Sequence, residues 1–415
     1  LIPIIILGAL FFIFGFVTWL NGTLIPYLKI ACELNTFQSM LVAFAFYISY
    51  FVMALPSSWI LKLTGFKKGM MLGLLVMAIG ALIFIPAANT RTYSLFLTGL
   101  FVIGTGLSIL QTASNPYITI VGPIESAAKR ISIMGICNKV AGVLAPIILG
   151  AIILADADTL VKELQGLDAA ARSIRLDVIA ARVINPYIIM AAILTGLALM
   201  VRFSPLPEVE MEQNGDGNSY HFEDRKSIFM HPNLVLGVVA IFLYVGVEVV
   251  AGDTLPMYGQ SQGIALSEAR NFTAYTLAAM VIGYIIGIIS IPKLISQSRA
   301  LAISAGTGIV FSICAIFTNG YTSVLFIALL GLANALMWPA IWPLAIHGLG
   351  KYTKIGSAML IMGIAGGALL PLLWGRLSMV HAIGHQQAYW IMVPCYLFIL
   401  HYSVNGHRIM SWKKE

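Results

Sequence analysis

Charge is what this chain has least of. Asp, Glu, Lys and Arg make up 10% of its 415 residues, against 59% apolar residues. Soluble domains carry about 25% charged residues, so a soluble globular fold is excluded. Cysteine is scarce too. Cys32, Cys137, Cys314 and Cys395 are scattered, with no disulfide or metal-ligand spacing, and say nothing of redox compartment. No Gly-x-x-x-x-Gly-Lys-Ser/Thr occurs, so the chain does not drive work with ATP by itself. No His-Glu-x-x-His occurs either, and intramembrane hydrolysis is left without a candidate constellation. We expect no enzyme and no cofactor. The net charge of +7 is carried mainly by short loops and is not a nucleic-acid signal. The chain opens straight into an apolar run, without a charged leader region or a small-residue cleavage site, so no signal peptide is expected.

Long apolar runs are present in quantity. A membrane-spanning helix needs about 20 mostly apolar residues, and lipid leaves unpaired backbone groups no partner. We read spans near 4–28, 38–62, 69–88, 93–122, 130–155, 185–203, 232–258, 267–294, 299–318, 322–348, 353–377 and 386–404. The fold class is an all-α membrane protein with twelve transmembrane helices in the lipid bilayer. Twelve spans put both termini on one side. Lys62, Lys67, Lys68, Lys129, Arg130, Arg225, Lys226, Lys293, Arg299, Lys351, Lys354, Arg408, Lys413 and Lys414 fall on that side. The other side carries Lys29, Arg91, Arg270 and Arg376. Both termini are therefore expected in the cytoplasm, and the protein in the cytoplasmic (inner) membrane.

Two polar segments interrupt the pattern. Residues 204–231, rich in Glu, Asp, Gly and Asn, read as a cytoplasmic linker between an N-terminal six-helix half, 1–203, and a C-terminal half, 232–415. Residues 156–184 mix charges with apolar residues at helical spacing and read as an amphipathic helix on the outer surface. The halves repeat. A shift of 231 superimposes Gly15, Thr23, Leu24 and Tyr27 on Gly246, Thr254, Leu255 and Tyr258. Ile133-Met-Gly-Ile136, followed by Pro146 and Gly150, is echoed by Ile361-Met-Gly-Ile364, then Pro371 and Gly375.

The polar residues inside the spans are the candidate site. Glu248 and Asp253 lie in an apolar span with the breakers Gly246, Gly252 and Pro256. A carboxylate at membrane depth costs a few kcal/mol and usually lines an ion path. A locally broken helix there frees carbonyls that can bind a cation. A hard cation wants carboxylate and carbonyl oxygens, which Asp253, Glu248 and Thr254 can supply. Lys139 is mid-span and must meet an acid, carbonyls or ligand oxygens; a structural ion pair and a coupling role both fit. Glu248 and Asp253 stand about 140° apart on an unbroken helix, so one can bind a cation while the other pairs with Lys139. Ser108, Gln111 and Asn115 form one helical stripe, suited to sugar hydroxyls or to interhelical hydrogen bonds. Asn21 and Asn138 add amides. Asn334, Trp338 and Trp342 recur at intervals of four; Trp338 can stack on a pyranose ring or simply pack.

Leu20-Asn21-Gly22-Thr23-Leu24-Ile25-Pro26, Gln111-Thr-Ala-Ser-Asn115-Pro116-Tyr117, Gly122-Pro123-Ile-Glu125-Ser and Arg130-Ile-Ser-Ile together resemble the major facilitator superfamily. Within it they resemble the fucose–galactose–proton symporter family, glucose/galactose transporter type. Gly65-Phe66-Lys67-Lys68-Gly69 resembles a reduced form of the superfamily's loop motif. The resemblance implies the major facilitator fold, a monomer, and transport of a hexose such as glucose or galactose. Read from the polar residues of the spans, the expected substrate contacts are Asn21, Gln111, Asn115, Asn138, Lys139, Asn334 and Trp338. Fucose–proton symporters carry acids where this chain has Gly22 and Gln111, while their substrate asparagine is matched by Asn138. Sodium-dependent glucose transporters occur among relatives of the family. The expectation is therefore sodium-coupled hexose symport through Asp253, Glu248 and Thr254. Proton coupling through Glu248 with Lys139 is the rival, and a non-transporting sugar receptor is the alternative of another class.

Overall fold

The computed structural model describes residues 2–120, 127–206, 227–291, 294–349, 352–409 and 411–412. Most of the expected 204–231 linker, and the Gly122-Pro123-Ile-Glu125 motif, lie outside the described residues. These residues are helical throughout. In order the helices are α1 (Ile2–Trp19), α2 (Asn21–Ala31), α3 (Thr36–Thr90), α4 (Tyr93–Ile120), α5 (Ala127–Ile153), α6 (Ala157–Gly166), α7 (Ala169–Ala181) and α8 (Ile184–Phe203). There follow α9 (Pro232–Asp253), α10 (Leu255–Ser261), α11 (Leu266–Ala269), α12 (Phe272–Ser290), α13 (Gln297–Phe317) and α14 (Gly320–Asn334). The last are α15 (Met337–Ile346), α16 (Thr353–Met362), α17 (Gly366–Ser378), α18 (Gly384–Gln387) and α19 (Met392–Val404). Among the described residues, ten stretches are long and apolar enough to cross a membrane. One of them, α3, has 55 residues. At 1.5 Å per residue it is about 80 Å long, against a hydrocarbon core of about 30 Å. It turns at Gly65, whose φ of 73° suits glycine, so it contains both expected spans 38–62 and 69–88.

Several expected spans are broken where sequence chemistry dictates. Proline lacks an N–H and leaves the carbonyl four residues earlier unpaired. Pro256 does this to Gly252, and the helix breaks at Thr254. Pro339 does it to Ala335, between α14 and α15. The first span breaks at Leu20, between α1 and α2.

With no hydrophobic drive between helices in lipid, small residues set the approach of backbones. A Cβ on Gly15 would fall on the Asn138 carbonyl, joining α1 to α5. A Cβ on Gly366 would fall on the Phe242 carbonyl, joining α17 to α9. Helix α12 shows both of its surroundings. Thr273, Thr276, Leu277, Met280, Gly283 and Gly287 are buried on one face, and Ile282, Ile285, Ile286 and Ile289 are exposed on the other. That exposed stripe is the surface lipid would cover.

The 156–184 segment is two helices, not the single amphipathic helix expected. Gly166-Leu-Asp168 interrupts it, because the Asp168 carboxylate accepts from the Ala171 N–H at 2.8 Å and starts α7 anew. Arg182 joins Asp156 across the base of the pair, one contact being 2.8 Å. The Tyr27 hydroxyl donates to the Ile179 carbonyl at 2.7 Å. At the same end of the bundle Arg270 donates to the Gly150 carbonyl at 3.0 Å and to that of Leu154. The Ser267 N–H donates to Asp158 at 3.2 Å. The segment around α11 is thereby tied to the end of α5.

The Arg182 hydrogen bond and charge hold the Asp156 carboxyl below the usual carboxylate range. An acid depressed on folding contributes stability above its unfolded pKa of about 4, lost as pH falls through the lower folded value. The Asp156 side chain is 37% exposed, so solvent screening limits the contribution to about 1 kcal/mol or less. Asp156→Asn should speed amide exchange across 156–182 several-fold at pH 7. After correction for intrinsic rates, wild type should match the variant only below about pH 4. Equal exchange in the two proteins at pH 7 refutes the clamp.

Candidate functional site

Helices α5 and α9 each bring one charge to the same point. The Lys139 ammonium lies 2.7 Å from Glu248 Oε1, with side chains 11% and 9% exposed. The ammonium also sits 5.0 Å from the centre of the Trp19 ring, a cation–π distance. The bland expectation of a Lys–acid pair is thus realised, and Glu248 is the acid.

Asp253 is the other acid, and its situation differs. It is the last residue of α9 and fully buried, and among the described residues neither carboxylate oxygen has a hydrogen-bond partner. A helix C-terminus carries partial negative charge, so a bare carboxylate there is doubly disfavoured and a cation is doubly favoured. The carbonyls around the break are taken up by hydroxyls. Thr273 donates to Gly252 at 2.8 Å, Thr276 to Ala251 at 3.4 Å and Thr254 to Val250 at 2.6 Å. The Thr254 hydroxyl is also 2.7 Å from that of Tyr389. Carbonyl, hydroxyl and carboxylate oxygens therefore cluster at one helix break.

The amides and aromatics divide by accessibility. Gln111, Asn115, Asn138, Trp338 and Trp342 are half-buried, whereas Asn21 and Asn334 are enclosed. Gln111 donates to the Tyr50 hydroxyl at 3.0 Å. The Tyr50 ring stacks on Tyr47 at 6.5 Å. Trp338 stacks on Trp342 at 5.3 Å and meets Tyr244 at 6.4 Å; Tyr244 is the neighbour one turn from Glu248. The Asn138 amide donates to the Phe11 carbonyl at 3.3 Å, within the α1–α5 contact. Asn334 accepts from the Tyr396 hydroxyl at 2.9 Å, and its NH2 has no partner. Both polar atoms of the Asn21 amide are without partners. Ser108 faces the Ser57 hydroxyl at 3.5 Å, an interhelical contact.

Sequence reasoning missed Trp19, Tyr47, Tyr50, Thr273 and Thr276. An aromatic or threonine inside an apolar span carries no local mark of function. A further sequence feature resolves structurally. Gly259-Gln-Ser261-Gln-Gly263 has the Gly-x-Ser-x-Gly spacing, but Ser261 ends α10 and its hydroxyl donates to the Tyr258 carbonyl at 2.7 Å. It is not on the strand-to-helix turn a hydrolase needs.

An all-helical bundle with backbone-close glycine crossings, a buried ion pair and an unpartnered acid is the architecture of a membrane transporter. The profile of the Major Facilitator Superfamily matches residues 7–373, and the chain belongs to that superfamily. Among its relatives is the glucose/galactose transporter of Brucella abortus (biovar 1, strain 9-941), 36% identical over 97% of this chain and 93% of that one. The L-fucose-proton symporter of Escherichia coli K12 is 30% identical over 91% of this chain and 87% of that one. A crystal structure of the superfamily transporter FucP in the outward conformation matches with a TM-score of 0.74. It is 28% identical and covers 97% of this chain and 98% of that one.

Removing one partner of a buried ion pair costs about 3–5 kcal/mol, because the other charge is left uncompensated. Lys139→Ala should lower the thermal unfolding midpoint of the purified protein markedly. Lys139→Gln/Glu248→Gln should recover most of the loss. A single variant as stable as wild type contradicts the pair.

Proposed function

We propose that this chain is a secondary active transporter of a hexose such as glucose or galactose, driven by a cation that binds at Asp253. The observation that carries this reading is the fully enclosed, unpartnered Asp253 carboxylate at the end of α9. Such a group is stable only with a bound cation or a proton, and either links ion binding to the state of the site. The half-buried Gln111, Asn115, Asn138 and Trp338 supply amides and an aromatic face for the sugar, with Asn21, Asn334 and Lys139 behind them. The bundle is read as twelve spans in two halves, 1–203 and 232–415, by counting α3 twice and taking α18–α19 as the last span. A monomer in the cytoplasmic membrane, with both termini in the cytoplasm, completes the picture. The halves rock about the site.

Sodium is the cation proposed first. A hard cation is held by several oxygens, and the break offers Asp253 beside the 250–252 carbonyls and the hydroxyls of Thr254, Thr273 and Thr276. Glu248 serves this site as the partner that keeps Lys139 neutralised. A proton is the second reading, and one observation favours it: those carbonyls and hydroxyls already satisfy one another, while a proton needs only the carboxylate. The naming of the E. coli relative as a proton symporter points the same way.

Radiolabelled glucose uptake into proteoliposomes, with sodium and proton gradients imposed separately, tests the reading. One charge crossing 100 mV is worth about 2.3 kcal/mol, enough for accumulation of a few tens-fold. Accumulation under a sodium gradient alone is expected, and accumulation under protons alone would establish the second reading. Asp253→Asn should lose accumulation under either gradient. Equilibration without accumulation in wild type rejects cation coupling altogether.

A further inference from the structure

Besides Arg130 near the start of α5, three charged side chains are buried within the described spans: Lys139, Glu248 and Asp253. The two carboxylates lie five residues apart on α9, and the ammonium comes from α5. It pairs with only one of them, although the other has no partner. Five residues turn the two acids about 140° apart on the helix, and what fills the space between α5 and the end of α9 decides whether the lysine can reach past Glu248.

Trp19 occupies the place required. It is the last residue of α1, at the break before α2, and is 2% exposed. Its ring lies under the Lys139 ammonium. The ring also fills the space in front of two glycines. A Cβ on Gly142 would meet Cδ1 of the indole at 2.6 Å, and a Cβ on Gly252 would meet Cζ3 at 2.5 Å. Gly142 is three residues after Lys139, on the same face of α5. Gly252 is one turn after Glu248 on α9 and directly precedes Asp253. The indole is therefore wedged between the lysine-bearing face of α5 and the stretch of α9 that leads from Glu248 to Asp253. Its π face attracts the ammonium and, with the Glu248 carboxylate, gives Lys139 two points of hold. Its bulk takes the volume through which the lysine side chain would pass to Asp253.

We propose that Trp19 is a positioning residue that separates the buried charges into a closed neutral pair, Lys139–Glu248, and an open single acid, Asp253. The proposal rests on Asp253 as the cation-binding group and deepens that reading. It has two consequences. The site carries one net negative charge when empty and none when one monovalent cation is bound, so one cation accompanies each sugar. The loaded carrier crosses neutral and the empty carrier returns charged, so membrane voltage acts on the return. Without the ring, Lys139 is shared with Asp253 and competes with the cation. Sugar then moves without the ion.

The test uses the full chain in proteoliposomes with glucose, at zero voltage and a tenfold gradient of whichever cation drives wild type. One cation per sugar gives about tenfold accumulation, and two would give about a hundredfold. Trp19→Ala should raise the half-saturating cation concentration about tenfold or more and allow downhill glucose entry without the cation. Glucose counterflow at equal concentrations should persist in that variant, which an unfolded or distorted protein would not show. Trp19→Phe keeps an aromatic face and should stay close to wild type; it also serves if Trp19→Ala does not fold, with Trp19→Leu as the variant that lacks the π face. In the Lys139→Gln/Glu248→Gln background there is no ammonium to misplace, so Trp19→Ala should add no further uncoupling. A hundredfold wild-type accumulation overturns the charge count. Full coupling in Trp19→Ala, or the same loss in both backgrounds, overturns the separating role while leaving cation-driven transport intact. Failure of wild type to accumulate under any gradient overturns both.

Discussion

A charge taken out of water into a lipid-embedded bundle costs several kcal/mol unless another charge or a set of dipoles replaces the lost solvent. Lys139, Glu248 and Asp253 are all subject to that cost, and the arrangement of the interior follows from how each meets it. Lys139 and Glu248 meet it together at 2.7 Å. Because they come from α5 and α9, their attraction also joins two helices whose paired residues are 109 apart in the chain. Asp253 has no protein partner. In the proposed function it is the group through which a cation governs the protein.

The backbone is arranged around the same point. Glycines let α1 and α5, and likewise α9 and α17, approach to backbone contact, which fixes the rotation of each helix and so the direction of each charge. Proline at 256 frees the Gly252 carbonyl, and Thr273 on α12 satisfies it at 2.8 Å. The break beside Asp253 is thus held from a neighbouring helix. At the α6–α7 end, Arg270 and Asp158 tie the segment around α11 to the end of α5.

The fucose-type pattern that this chain resembles has an acid at the position of Gly22. Here a Cβ at that position would fall 2.5 Å from the Thr273 hydroxyl, so Thr273 occupies the space a larger side chain would need. The same threonine supports the break that precedes Asp253. Gly22 and Asp253 correspond under the internal repeat. The hydroxyl that supports the Gly252 carbonyl beside Asp253 thus also occupies the space next to Gly22.

Much of this was legible in the chain itself. Apolar length marked the spans, Gly and Pro marked the breaks at Thr254 and after Asn334, and the cost of buried charge required an acid for Lys139. These are local or additive properties that survive projection onto one dimension. The choice of Glu248 over Asp253 was not legible, nor was the use of the Asn138 amide to bind Phe11, the commitment of the Thr254 hydroxyl to Tyr389, or the place of Trp19 between two helices. Those depend on how far each helix is turned about its axis and how closely its neighbour approaches. Rotation and approach are set by contacts more than a hundred residues apart in the chain, such as Gly15 on Asn138 and Phe242 on Gly366, and residue spacing carries no record of them.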